Sequence, residues 1–137
     1  MQTSNVARIP HSLRLTKPYG LRYGVFMRMT NPNFLNGVPE MLVLKLLSRR
    51  EMYGYEIVKA IQAETGETLT FGEGCMYPCL HYLEKEKLVT SERREVAGRS
   101  RNYYVLTVRG TKRLEELTAD WSRVHSGISL LLKGQHA

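Results

Sequence analysis

From Asn36 onward the apolar positions recur at helical spacing, and the pattern changes twice before the chain ends. Pro39 suits a first helical turn and Glu40 suits its positive end. Met41, Leu42, Leu44, Leu46 and Leu47 then supply a broad apolar face, closed by Ser48-Arg49-Arg50. A short link leads to Gly54, after which Tyr55, Ile57, Val58 and Ile61 predict a second helix ending at Thr65-Gly66. The turn Gly72-Glu73-Gly74 opens a third helix, with Pro78 in about its first turn, where a missing N–H is tolerated. Met76, Leu80, Leu83 and Lys87 lie along one side of it, the first three toward the core. At about 100° per residue, Tyr77, Pro78, His81, Tyr82 and Lys85 fall on the other side. Two tyrosines, a proline and a histidine turned outward from one helix predict a partner for that face.

The period then shortens. Leu88 to Val96 and Arg101 to Leu106 are rich in Val, Thr and Tyr and predict two strands, with Ala97-Gly98-Arg99-Ser100 as the hairpin between them. Three helices, a strand, a basic turn and a strand are the order of a winged helix. After Thr107, a candidate N-cap, the helical period returns and runs to about Lys133. Its apolar positions Leu114, Leu117, Trp121, Val124, Ile128 and Leu131 are spaced by alternating steps of three and four, an a/d seam. Such a helix is roughly 40 Å long at 1.5 Å per residue. A domain this small cannot cover it, so a second copy of the chain is the expected partner. The fold class is therefore mainly α with a small β-hairpin. A winged helix-turn-helix is expected over 36–106, a dimerisation helix over 107–133 and a tail over 134–137.

Composition changes this picture little, and charge changes it mainly by where it lies. The chain has 137 residues, enough for one ordinary domain plus an appendage, and a formal charge of +7. Residues 1–39 hold Arg8, Arg14, Lys17, Arg22 and Arg28 without an acid, so the rest carries 15 Lys/Arg against 13 Asp/Glu. Basicity thus belongs largely to the N-terminal extension. Residues 1–35, with Pro10, Pro18 and Pro32 and no sustained period, are expected to be mostly disordered, or to serve as a basic arm on DNA phosphates. Met27 and Met29 stand just before the regular part, as alternative starts. The extension is Arg-bearing and acid-free like a transit peptide, but it lacks a secretory apolar stretch, so a cytoplasmic protein is expected. The longest apolar run, Met41 to Leu44, is too short to span a bilayer.

The candidate chemistry is recognition of duplex DNA. In a helix-turn-helix the second helix of the motif enters the major groove with its N-terminal residues nearest the bases. Gly74 allows close backbone approach there, Tyr77 and His81 reach base edges or phosphates one turn apart, and Lys85 lies against the backbone farther along. Arg93, Arg94, Arg99 and Arg101 cluster at the hairpin, where they suit a minor groove or phosphates; the plainer alternative is a solvated charged turn. Trp121, at the middle of the seam, either fills a dimer interface or stacks a planar effector against its symmetry mate. Cys75 and Cys79 sit four apart on the third helix as small packing residues, with a thiol switch as the alternative. Metal ligation is not expected, because His81 is turned well over 100° from both. His11, His81, His125 and His136 are scattered, and neither a nucleophile motif nor a phosphate loop occurs, so neither catalysis nor a cofactor is expected. A winged helix that binds a protein through its aromatic face is the competing class.

Three segments carry a resemblance. Leu47-Ser48 with Tyr53-Gly54-Tyr55-Glu56-Ile57, then Glu73 to Glu84, then Gly98 to Thr107 resemble successive motifs of the PadR family of bacterial transcriptional regulators, across about residues 34–133. Cys75 stands where that family usually has a hydroxyl residue, and Tyr82 where a basic side chain is common. The resemblance implies a dimer joined through the C-terminal helices, of the family's short, single-helix type. It implies repression at a pseudo-palindromic site, often relieved by a small aromatic or amphipathic ligand. It also implies DNA contact through Tyr77, His81, Arg99, Arg101 and Tyr103. Leu114, Leu117, Trp121, Val124 and Ile128 are the candidate residues for the dimer interface and for such an effector.

Overall fold

A computed structural model describes residues 37–134. The extension expected over 1–35 and most of the tail expected over 134–137 lie outside the described residues. Helix α1 spans Val38–Leu47, strand β1 Met52–Tyr53, helix α2 Gly54–Glu64 and helix α3 Glu73–Lys85. Next come strands β2, Val89–Val96, and β3, Arg99–Leu106, and helix α4 runs over Val108–Leu132.

Local chemistry sets most of these boundaries. Pro39 stands in the first turn of α1 and Glu40 beside it. Thr107 caps α4, its hydroxyl accepting from the Gly110 N–H at 2.9 Å and donating to the Lys87 carbonyl at 2.8 Å. At the end of α3 the Leu88 N–H reaches the Leu83 carbonyl at 2.9 Å and the Lys87 N–H reaches Glu84 at 3.0 Å, with Lys87 in the left-handed region. This closing pattern turns the end of a helix sharply, here toward β2. Lys87 therefore lies beyond α3 and not along its core side. The hairpin turn is only Ala97-Gly98, both at positive φ, the geometry that matches the twist of paired strands.

The three strands form an antiparallel sheet in the order β1-β3-β2. The two residues of β1, expected only as a link, pair with Tyr104 and Tyr103. Side chains alternate across the sheet, so Met52, Tyr104 and Val89 turn into the core while Tyr53 and Tyr103 turn away from it. The core joins Val43, Leu44, Ile57, Ile61, Phe71, Met76, Leu80 and Leu83, all essentially buried. Each such side chain contributes about 1.5–3 kcal/mol on burial.

The structure departs from the sequence expectations at several positions. Val43, outside the apolar face expected for α1, is fully buried. Tyr55 is exposed on α2, with Lys59 over its ring. Pro78 is the sixth residue of α3 rather than a first-turn residue. It leaves the Gly74 carbonyl without its i+4 donor, and Gly74 is solvent-exposed, so water can take that role. Cys75 and Cys79, by contrast, are buried packing residues of the core, as expected from the sequence.

Candidate nucleic-acid interface

Gly74, Tyr77, His81 and Lys85, spaced three, four and four apart, form one exposed stripe along α3. A side chain at Gly74 would meet nothing of its own chain within 4 Å, so the fold leaves that position open to a partner. Tyr77 is held from beneath. A Cβ on Gly54 would lie 2.8 Å from the Tyr77 hydroxyl and ring, so the bare glycine at the start of α2 makes room for the phenol. That contact holds Tyr77 at 36% exposure instead of leaving it loose on the surface.

Tyr82, expected on the same outward face, packs against the core instead. It shares a recess with Glu86, Arg109, Lys112, Arg113 and Glu116. Burial pushes its phenol above the ordinary range, and the charge of Glu40 adds to this. Glu40 is itself 6% exposed and accepts from Arg113 Nε at 3.2 Å, so an ion pair between α1 and α4 lies beside the back of α3. Position 82 stands about 100° around the helix from His81, and that rotation carries it to the edge that α4 covers.

The wing divides its arginines by strand alternation. Arg94 lies on the outer face, donating to both Glu51 oxygens at 2.7 and 2.8 Å and to Glu92 at 3.1 Å. These bonds hold its guanidinium above its usual value and the Glu51 carboxyl below its own, the Arg94 hydrogen bond being the main cause. The same face stacks Arg94 over Tyr103, Tyr103 edge-on to Tyr53 at 5.4 Å, and Arg101 over Tyr53 at 4.2 Å. Tyr103 is thus enclosed by Tyr53 and Arg94. The other face carries Ser91, Arg93, Asn102 and Ser100 outward from Tyr104.

Charge pairing sharpens the contrast. Arg49 pairs with Glu64, Arg50 with Glu56, Arg113 with Glu40 and Arg123 with Asp120. Among the described residues no ion pair holds Arg93, Arg99 or Arg101. Those three sit on the hairpin, and a cleft of about 200 Å³ joins it to α3, lined by Gly54, Tyr77, Arg93, Ser100, Arg101 and Asn102. The structure thus brings Tyr77 and Arg101 together, leaves Arg99 at the hairpin tip, and sets Tyr103 outside the cleft. In the sequence Arg93 is only one member of a basic cluster, and neither Asn102 nor Gly54 stands out as a site residue. Alternate positions counted outward from the buried Tyr104 find the first two.

The second candidate region lies along α4. Val38, Met41, Leu117, Trp121, Val124 and Ile128 line an apolar groove of about 480 Å³ between α1 and α4. His125 stacks on Trp121 with centroids 4.7 Å apart and planes within 7°, a one-turn neighbour that the scatter of histidines along the sequence conceals. Leu114 belongs instead to the chain's own core, at 9% exposure. Among the described residues no group of three or more His, Cys, Asp or Glu could hold a metal, and no helix is long and apolar enough to cross a membrane.

Known proteins share this arrangement. Residues 43–116 match the transcriptional regulator PadR-like family. The chain is similar to transcriptional regulator YqjI of Escherichia coli, 36% identical over 83 residues, which span 61% of this chain and 39% of that protein. A PadR-like transcriptional regulator from Bacillus cereus superposes with a TM-score of 0.66 at 33% identity, covering 75% of this chain and 99% of that one. A PadR family transcriptional regulator from Eggerthella lenta gives a TM-score of 0.65 at 32% identity over 76% and 89% of the two chains. The winged helix, the exposed α3 stripe and the matched residues agree: the chain belongs to the PadR-like family, whose members are DNA-binding transcriptional regulators and not enzymes.

Proposed function

We propose that the chain acts as a homodimeric repressor in the cytoplasm, reading a pseudo-palindromic operator with α3 and the wing of each copy. Gly74, Tyr77 and His81 address the major groove, Lys85 the backbone, and Arg99 and Arg101 the flanking groove or phosphates. The observation that carries this reading is the meeting of the α3 stripe with arginines that no acid among the described residues neutralises. Tyr103 serves by bracing the wing through Tyr53 and Arg94.

Dimerisation rests on α4. Trp121, Val124, Ile128 and Leu131 are at least half exposed at a/d spacing, an apolar seam that a second copy would cover. A small planar aromatic effector, stacked at Trp121 in the groove, would change the separation of the two heads and release the operator. The experiment is a mobility-shift titration of the full chain on the duplex upstream of its own coding sequence, at two salt concentrations. A sequence-selective shift that weakens steeply with salt, and weakens further in the Arg99→Ala/Arg101→Ala variant, is the expected result. No shift at either salt would leave a winged helix that binds proteins.

A further inference from the structure

Arg93 and Arg94 are neighbours on β2 and have opposite fates. Arg94 is consumed by Glu51 and Glu92 on the outer face. Arg93 turns to the inner face, where its Nη1 donates to Asn102 Oδ1 across the strands at 3.3 Å. Asn102 in turn lies against the buried Tyr104 phenol, where its hydrogen bonding opposes the upward push of burial. Arg93 is therefore tied through one neighbour to the core, with most of its five N–H donors unspent. Glu95 shares its face and makes no ion pair with it.

Across the cleft stands Tyr77, its hydroxyl fixed over Gly54, and Ser100 supplies a second hydroxyl at the rim. The cleft is thus a small recess with two arginines at its walls, hydroxyl donors and an amide; the Arg101 guanidinium is stacked over Tyr53, and that of Arg93 is the less committed of the two. That donor set suits the two charged oxygens of a phosphodiester, which a guanidinium meets in bidentate fashion. Its volume is on the scale of one phosphate group and a few waters. It opens between the two elements that the proposed function places on DNA.

We propose that this cleft seats a single backbone phosphate of the bound duplex, gripped by Arg93 and oriented by Asn102, Tyr77 and Ser100. The assignment rests on the proposed DNA-binding function. It makes Arg93 a register-setting contact, independent of sequence, with Tyr77 shared between the phosphate and the groove while Gly74 and His81 of the α3 stripe face the bases.

The test is the salt dependence of duplex binding by the full chain, compared for the wild type, Arg93→Ala and Asn102→Ala on the upstream duplex and an unrelated one. Arg93→Ala should lower the slope of log K against log[salt] by about one and weaken both duplexes alike, by roughly tenfold. Asn102→Ala keeps the charge, so it should leave the slope unchanged and weaken binding only severalfold. A wild type that binds with a steep slope beside an Arg93→Ala variant of equal slope and affinity would overturn the phosphate seat alone. A wild type without salt-dependent binding would overturn the DNA reading and the seat together. Calorimetric binding of inorganic phosphate that Arg93→Ala abolishes, with the duplex slope unchanged, would assign the cleft to a small free anion and likewise overturn the seat.

Discussion

The two halves of α4 keep one apolar rhythm and meet different surroundings. Near its start Gly110 is so close to the sheet that a Cβ there would lie 2.1 Å from the Leu88 carbonyl oxygen, and Leu114 one turn on is buried. From Trp121 the same seam comes out into solvent, and Leu131 is 80% exposed. The steps of three and four between apolar residues do not change along the way. Periodicity states which face of a helix wants covering. It does not state whose surface does the covering, and only the fold of the preceding domain divides the helix into a part that is already satisfied and a part that is not.

That division is open to direct attack. Leu114→Ala should cost about 2–3 kcal/mol of unfolding free energy at any protein concentration, because it opens a hole in the chain's own core. Val124→Ala, at a seam position beyond the domain, should change the unfolding of dilute chain by less than about 0.5 kcal/mol. Urea unfolding of both variants at two protein concentrations checks this. Equal losses for the two would mean that the seam is covered within one chain.

A smaller effect separates the two faces of the wing. The Glu51 carboxyl is held below its ordinary value of 4.5, chiefly by the Arg94 hydrogen bond. A depressed carboxyl contributes stability that is complete above the unfolded value and fades as pH falls through the folded one. Hydrogen-exchange protection of the β1–β3 ladder should therefore be flat above pH 4.5 and decline below it. The group is exposed, so high salt should shrink the change, and Glu51→Gln should remove it. On the Arg93 side of the wing the described residues form no ion pair and Glu84 accepts only from the Ser91 hydroxyl, so the decline there should be smaller and should not respond to Glu51→Gln.

The winged-helix order was legible in the sequence because each period was long enough to count, and Thr107 declared the start of α4 by its cap. The two-residue strand β1 was not, since its pairing with β3 is set by residues about fifty positions away. On α3 the stripe of Gly74, Tyr77, His81 and Lys85 was readable from helical geometry alone. Tyr82 was not, because an arc on a helical wheel does not show that α4 closes over its edge. Charge misleads in a similar way. Arg93, Arg94, Arg99 and Arg101 are equal in sequence, and only the pleat and the position of Glu51 divide them into those left for a partner and one that braces the wing.

If the exposed seams on α4 hold two reading heads on one duplex, as proposed, the stoichiometry of the complex shows it. Sedimentation equilibrium of the full chain with the upstream duplex should give a complex of two chains per duplex. Ile128→Asp, which puts a charge into the exposed seam without touching the core, should reduce it to weakly bound single chains. One chain per duplex for the wild type, or a two-chain complex that Ile128→Asp leaves intact, would contradict the account.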